Sequence, residues 1–423
     1  MANFAGTSWV KVQARESGSK SSASRMPSVL MRIGVDACCW SNRRGFGRFT
    51  RELLQALIGT DMKNEYLFFV DRYTADSCDL PSAAQKILVQ TNVSPTQAAS
   101  ASGRRSLADL WAFSREVLKH SLDLFFFPAV YSYFPIINRT KVVVTLHDAI
   151  AEHHPDLVFS NRRLRTFWNL KREVAIRQAN LILTVSEYSR RQLISELGLT
   201  ENRVRAISEA AHSTFKVLPR TGAGFELPSQ YQVDTNTRFM LYVGGISPHK
   251  NLEALVGAFQ GIVSDPAFAD VKLVLVGDYE NDPFLSAYTG VKRKIAECKL
   301  GDRVVLTGYV PDQDLAIFYN AATLFVLPSL EEGFGLPAIE AMSCGTPVVC
   351  SNRGPLPDLL RDAACFFDPR NVGMMTAVLK SVLADEALRK VMHENAIRRA
   401  REFSWGQAAK DTLRIFEEVC GQA

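Results

Sequence analysis

Short apolar runs recur along this chain between longer amphipathic stretches, and that alternation constrains the fold more than any other feature. In the first half the runs fall at 33–36, 66–70, 87–89, 124–127, 142–146, 181–185 and 204–207. Most are β-branched or aromatic, as expected of parallel strands buried on both faces. Helical spacing appears between several of them. Residues 51–58 put Leu53, Leu54, Leu57 and Ile58 on one face, and a later pattern uses Leu164, Phe167, Trp168 and Ala175. The rhythm breaks over 218–237, where Pro219, Gly222, Gly224 and Pro228 mark a linker. It restarts with runs at 239–243, 273–276, 304–307, 323–327, 348–350 and 364–367, and residues 407–419 form a last helix. Repeated βα alternation specifies an α/β, doubly wound architecture. Two series across a linker predict two Rossmann-like domains facing a cleft, at 31–217 and 238–402, with the segment 403–423 packing back on the first.

Composition narrows the class of function. Of 423 residues, 47% are hydrophobic and 22% charged, which excludes a disordered, collagenous or coiled-coil chain. The net charge of +5 favours an anionic ligand or membrane surface and is too small to predict nucleic-acid binding. No apolar run approaches the length of a transmembrane helix. The cysteines show no zinc or disulfide spacing, so a reducing, cytoplasmic location is expected. Residues 1–30 hold seven serines and a single acid, Glu16, and are expected to form a flexible basic extension.

In open parallel sheets, ligands bind beyond the carboxyl ends of strands. The unusual residues of this chain fall there. Gly45-Phe46-Gly47-Arg48 follows the first run, His147-Asp148 the fifth and Ser186-Glu187 the sixth. Gly244-Gly245, with His249-Lys250-Asn251 just beyond, follows the first run of the second half, and Gly308-Tyr309 the third. The segment from Glu331 to Met342 is the most informative. Gly333 and Gly335 permit a tight turn, Pro337 suits a first helical position, and Gly345-Thr346-Pro347 ends the helix. Free N–H groups near Gly335 and Leu336 would make an anion site. Glu340, one turn in, could accept hydrogen bonds from a vicinal diol such as ribose, and Glu332 from hydroxyls beyond the phosphate. His153-His154, Cys38-Cys39 and Trp405 are read as structural, and no metal site is predicted.

The segment Glu332-Gly333-Phe334-Gly335-Leu336-Pro337, continued by Glu340-Ala341-Met342 and Cys344-Gly345-Thr346-Pro347, resembles the E-x7-E signature of family 4 retaining glycosyltransferases of the GT-B fold. The resemblance extends through Tyr242-Val243-Gly244, Pro248-His249-Lys250-Asn251, Val276-Gly277-Asp278, Thr307-Gly308-Tyr309-Val310, Thr145-Leu146-His147-Asp148, Val185-Ser186-Glu187-Tyr188-Ser189 and Phe403-Ser404-Trp405. It implies a hexosyltransferase that uses a GDP- or UDP-sugar, with no cofactor and no required metal, in polysaccharide or lipid-linked glycan assembly. By the resemblance, His147, Lys250 and Glu332 are the catalytic residues. Gly47, Gly244, Gly245, Lys250, Tyr309, Val310, Glu332, Gly333, Phe334, Gly335, Leu336 and Glu340 bind the donor. Lys250 pairs with the diphosphate, the backbone at Phe334–Leu336 cradles its distal phosphate, and Tyr309-Val310 meets the base. It further implies front-face attack, the leaving phosphate taking the acceptor proton. Two departures stand out: Gly245 replaces an arginine common in relatives, leaving Lys250 aided by His249 or Arg48, and Pro357-Asp358 replaces Pro-Glu. A nucleotide-sugar isomerising enzyme and a non-catalytic nucleotide-sugar-binding protein share the two-domain plan and remain alternatives. The basic residues of 161–178, around Leu164, Phe167 and Trp168, suggest a peripheral contact with anionic membrane at the inner face, where a glycan or lipid-linked acceptor would be met.

Overall fold

The computed structural model describes residues 30–92, 106–219, 225–279 and 285–421. The basic extension and the linker glycines Gly222 and Gly224 lie outside these. Every apolar run of the sequence becomes a strand. The first sheet comprises β1 (Arg32–Asp36), β2 (Glu65–Asp71), β3 (Gln85–Val89), β4 (Leu124–Phe127), β5 (Lys141–Thr145), β6 (Leu181–Thr184) and β7 (Val204–Ala206). Its order is β3-β2-β1-β4-β5-β6-β7, and all pairings are parallel. The second sheet comprises β8 (Phe239–Val243), β9 (Lys272–Val276), β10 (Val304–Gly308), β11 (Leu324–Leu327), β12 (Val348–Ser351) and β13 (Ala364–Phe367), in the parallel order β10-β9-β8-β11-β12-β13. Each sheet therefore reverses direction once, between β1 and β4 and between β8 and β11. A crevice opens at such a point because successive connections leave on opposite faces.

Helix α1 (Gly45–Thr60) buries Phe46, Phe49, Leu53, Leu54 and Leu57, which confirms the stripe read from its spacing. Helix α2 (Arg162–Gln178) does not keep its predicted stripe together. Trp168, Ala175 and Ile176 turn inward, while Phe167 (41% exposed), Leu170 (63%) and Val174 (38%) face solvent. The cause lies in the side chains opposite. Glu152 accepts from Trp168 Nε1 at 3.0 Å and from Arg172 Nη1 at 2.5 Å, and the Tyr131 carbonyl accepts from Lys171 at 2.9 Å, which fixes the inward face. Helix α3 (Glu187–Leu197) follows β6 and is capped by Ser186, whose Oγ accepts from Ser189 N. Helix α4 (Leu336–Ser343) follows β11 through a loop, and α5 (Trp405–Cys420) closes the chain.

Helix α5 crosses back to the first sheet. Phe416 meets Phe126 of β4 at 5.2 Å between ring centroids, and Trp405 meets Phe49 of α1 at 6.0 Å. Burial of rings this large is worth roughly 1.5–3 kcal/mol each. The second half of the chain is thereby fastened to the first through β4 and α1.

Candidate active site

At the carboxyl edge of the second sheet, β8 leads through Gly244 and Gly245 to Lys250. The turn is braced by Tyr242, whose hydroxyl donates to the Gly245 carbonyl at 2.7 Å, and by Asn251, whose amide donates to the carbonyls of Pro328 and Pro369. Leu330 N donates to the His249 carbonyl at 2.8 Å, tying this turn to the loop after β11. Lys250 Nζ lies 2.8 Å from both carboxylate oxygens of Glu332, and Ser329 Oγ donates to the same carboxylate at 2.6 Å. A cation and an anion from two loops thus sit together at the strand ends. Burial above all, and then the Lys250 charge, hold the His249 imidazole well below its ordinary pKa, so it is neutral; its buried Nδ1 has no partner among the described residues.

The loop then turns into α4. Gly335 adopts φ +95°, which disfavours any side chain, and a Cβ there would lie 2.5 Å from Leu356. Pro337 occupies the first turn of α4, as its place in the sequence predicts. Phe334 is buried edge-on against Phe403 at 5.8 Å, and Leu336 is buried too, so this backbone is held from beneath. Glu340, one turn into α4, is buried. Its Oε2 accepts from Tyr319 at 2.9 Å and its Oε1 lies 3.3 Å from Arg48 Nε of α1, across the cleft. Burial raises its pKa, against the opposing effects of Arg48 and Tyr319. Tyr309 is exposed at the cleft rim with the Arg43 guanidinium 4.4 Å above its ring, whereas Val310 is buried.

The first domain contributes the opposite wall. His147, at the end of β5, is half-buried between Phe46 and Phe49, its ring 4.8 Å from Phe49 and edge-on to it. Both of its nitrogens are buried without a partner among the described residues, and burial pulls its pKa down to about 3, so it is neutral throughout the physiological range. Asp148 beside it is pushed up to about 6, chiefly by burial. The Glu331–Gly333 loop docks on this wall: Ser186 and Ser189 both donate to the Gly333 carbonyl, at 2.6 and 3.0 Å, and a Cβ on Gly333 would come within 3.1 Å of the His147 carbonyl oxygen. Glu331 accepts from Tyr188 at 3.1 Å and lies 2.8 Å from His154 Nε2 and 3.3 Å from His153 Nδ1. The two imidazoles, read from the sequence as structural, therefore share a carboxylate from the other domain. Their rings stack in parallel at 4.5 Å and one nitrogen of each reaches the same Glu331 oxygen; the three ligand atoms lie within 4.8 Å of one another, a set that could hold a metal ion where the sequence predicted no metal site.

The structure brings His147, Lys250, Glu332, Gly333 and Glu340 to one cleft. At Gly47 a Cβ would meet the Asn42 carbonyl oxygen at 2.1 Å, so the turn that enters α1 requires a glycine there. Arg48 pairs with Glu340 and Asp312 rather than standing beside Lys250. Sequence reading missed Glu209 and Arg43. Glu209 is buried just past β7, and its pKa is pushed up to about 8 by burial and by Glu340 and Glu332. Its place beyond a strand's carboxyl end was the available signal. Arg43 has none, because its partner Tyr309 lies in the other domain.

Comparison with known proteins identifies the lineage of this arrangement. Residues 43–210 match the family described as Glycosyltransferase Family 4, and residues 225–399 match Glycosyl transferases group 1. The O-antigen chain mannosyltransferase B of Escherichia coli is 32% identical over 287 residues, which are 66% of this chain and 70% of that one. Other curated relatives are matched over about a third of their own length. Among solved structures, sucrose-phosphate synthase from Thermosynechococcus elongatus superposes with a TM-score of 0.73 at 18% identity, covering 93% of this chain and all of that one (100%). Anabaena HepE in complex with UDP and glucose gives 0.68 at 18% identity, covering 92% and 100%.

Proposed function

The chain belongs to the family 4, or group 1, glycosyltransferases, retaining hexosyltransferases of the GT-B fold, and from that premise we propose that it transfers a mannosyl group from a nucleoside diphosphate donor to a hydroxyl of a growing glycan. The observation that carries this reading is His147, neutral, with both ring nitrogens buried and unsatisfied among the described residues, set against the loop that holds the Lys250–Glu332 pair. A buried polar group without a partner is costly, and a sugar hydroxyl delivered to the cleft would remove that cost. Mannose is favoured by the likeness to an O-antigen mannosyltransferase.

In this reading the diphosphate lies between Lys250 and the N-terminus of α4, where the free N–H groups of the helix favour an anion. Lys250, shared with Glu332 before the donor arrives, turns to the phosphates and stabilises the charge that develops on the leaving group. Glu332, released, accepts from sugar hydroxyls. His147 meets the sugar from the opposite wall, Glu340 accepts from ribose, and Tyr309-Val310 borders the base. The acceptor hydroxyl attacks the face that the phosphate leaves, and a phosphate oxygen takes its proton. The docked Glu331–Gly333 loop keeps water from the same carbon. The acceptor is a lipid-linked glycan met at an anionic membrane, a reading supported by the exposed Phe167, Leu170 and Val174 of α2 beside Arg162, Arg163 and Arg165. Among the described residues no helix is long and apolar enough to cross a membrane.

The test is a panel of GDP-mannose, UDP-glucose, UDP-galactose and UDP-N-acetylglucosamine, each assayed with a mannose-terminated lipid-linked acceptor and followed by NMR of the new anomeric centre. Transfer from GDP-mannose with retention is expected. Preferred turnover of a UDP-sugar would overturn the choice of mannose, and isomerisation without an acceptor would overturn transfer itself.

A further inference from the structure

Arg48 is held more completely than a surface-facing arginine of a first helical turn usually is. Its Nη2 donates to Asp312 at 2.6 Å, its Nε lies 3.3 Å from Glu340, and its guanidinium covers the Phe215 ring at 5.2 Å. Asp312 begins the helix just after Tyr309-Val310, and Glu340 lies on α4, so one side chain of the first domain touches both segments of the second that border the nucleoside. The remaining nitrogen, Nη1, is buried with no hydrogen-bond partner among the described residues. A buried donor without an acceptor is uncommon in a native interior, and it marks a place where an oxygen is missing.

The charges around it indicate what kind of oxygen belongs there. Arg48 brings one positive charge to two carboxylates, Glu340 and Asp312; beyond them Glu52 is offset by Arg51, and Glu209 keeps its proton. That surplus of acids repels a phosphate and suits a neutral hydroxyl. A hydroxyl both donates and accepts, and it can give its proton to Glu340 while taking one from Arg48. Two adjacent hydroxyls need such a paired acceptor and donor more than one does. Resting on the reading that Glu340 faces the donor ribose, we propose that Arg48 is a second ribose-binding residue, contributed by the opposite domain, and that its Nη1 donates to a hydroxyl of the same vicinal diol that Glu340 accepts from. The ribose is then read from both domains at once, and donor binding draws them together through Glu340–Arg48–Asp312.

The experiment is calorimetric titration of GDP, UDP and their 2′-deoxy counterparts into the full chain and into Arg48→Met, Arg48→Lys and Glu340→Gln. The wild type is expected to bind a ribonucleoside diphosphate about tenfold or more tightly than its 2′-deoxy form, the scale of a lost hydrogen bond to a charged group. Arg48→Met should shrink that ratio to within about twofold, and Arg48→Lys should keep part of it. Equal weakening of ribo and deoxy forms by Arg48→Met, with the ratio intact, would make Arg48 a structural tie and overturn the inference. If the wild type binds both forms alike, or Glu340→Gln keeps the full ratio, the ribose reading of Glu340 fails first and takes this inference with it. If the wild type binds neither diphosphate, the proposed donor is wrong.

Discussion

Glu209 keeps its proton to about pH 8 because it is buried among Glu340, Glu332 and Asp148, with Arg48 alone opposing them. Unfolded, the same carboxyl titrates near its ordinary value of 4.5. The folded state therefore binds the extra proton between these limits, and the stability this contributes is full below about pH 4.5 and is lost as pH rises toward about 8. Glu209→Gln should flatten that decline and raise the urea midpoint at pH 8 to 9 while leaving it nearly unchanged at pH 4 to 5. A parallel pH profile in the variant would show that Glu209 titrates normally. Lys250 offers a kinetic counterpart. Lys250→Met should lower kcat by about two orders of magnitude, as loss of a donor to developing charge does. It also strands Glu332, so circular dichroism should show the variant folded at the assay temperature while kcat stays low. An unchanged kcat in the folded variant would remove Lys250 from the chemistry. His147, Lys250, Glu332 and Glu340 were legible in sequence because each follows an apolar run at the ligand edge of a sheet. The Arg48–Asp312 contact was not, because its members are 264 positions apart and belong to different domains.

At the scale of elements, strands were legible because a strand buried on both faces is apolar throughout, and no partner is needed to recognise it. Helix α2 shows where this stops. Its apolar positions are too many for one face, and only the side chains opposite decide which of them turn inward. Glu152 captures Trp168 and Arg172, leaving Phe167, Leu170 and Val174 outside with Arg162, Arg163 and Arg165. That exposed mixture of apolar and cationic groups suits an anionic lipid surface, where each basic side chain contributes about 1 kcal/mol. Wild type should co-sediment with vesicles containing anionic lipid at low salt. It should dissociate at 1 M salt, where screening shortens to about 3 Å. Arg162→Glu/Arg163→Glu/Arg165→Glu should remain in the supernatant throughout with transfer to a soluble acceptor unchanged. Equal pelleting of the triple variant would place any membrane contact elsewhere.

Across the whole molecule, the two domains meet through α5, through Arg48 and Arg43, and through one loop whose contacts bear directly on the site. Ser186 and Ser189 hold the Gly333 carbonyl, while Tyr188 and His154 hold Glu331, all from the segments after β5 and β6. Glu332 lies between the two held residues, so closure of the cleft and placement of Glu332 are one event. The outer pair Arg191–Asp358, 3.3 Å apart and well exposed, adds little to this. Ser186 also caps α3, so its removal would confuse closure with helix stability. Ser189 and Tyr188 carry no such second duty as caps. Each of their hydrogen bonds is worth about 0.5–1.5 kcal/mol net, so losing both should shift the closed–open balance by roughly 5- to 150-fold. The Tyr188→Phe/Ser189→Ala variant should therefore show a larger radius of gyration by small-angle scattering, and a kcat lower by about tenfold or more. Donor hydrolysis should rise relative to transfer, because an open cleft admits water. Its thermal midpoint should change little, since neither domain core is touched. An unchanged radius together with an unchanged ratio of hydrolysis to transfer would mean that the loop is already placed by its own domain, and that the contacts with α3 follow closure without driving it.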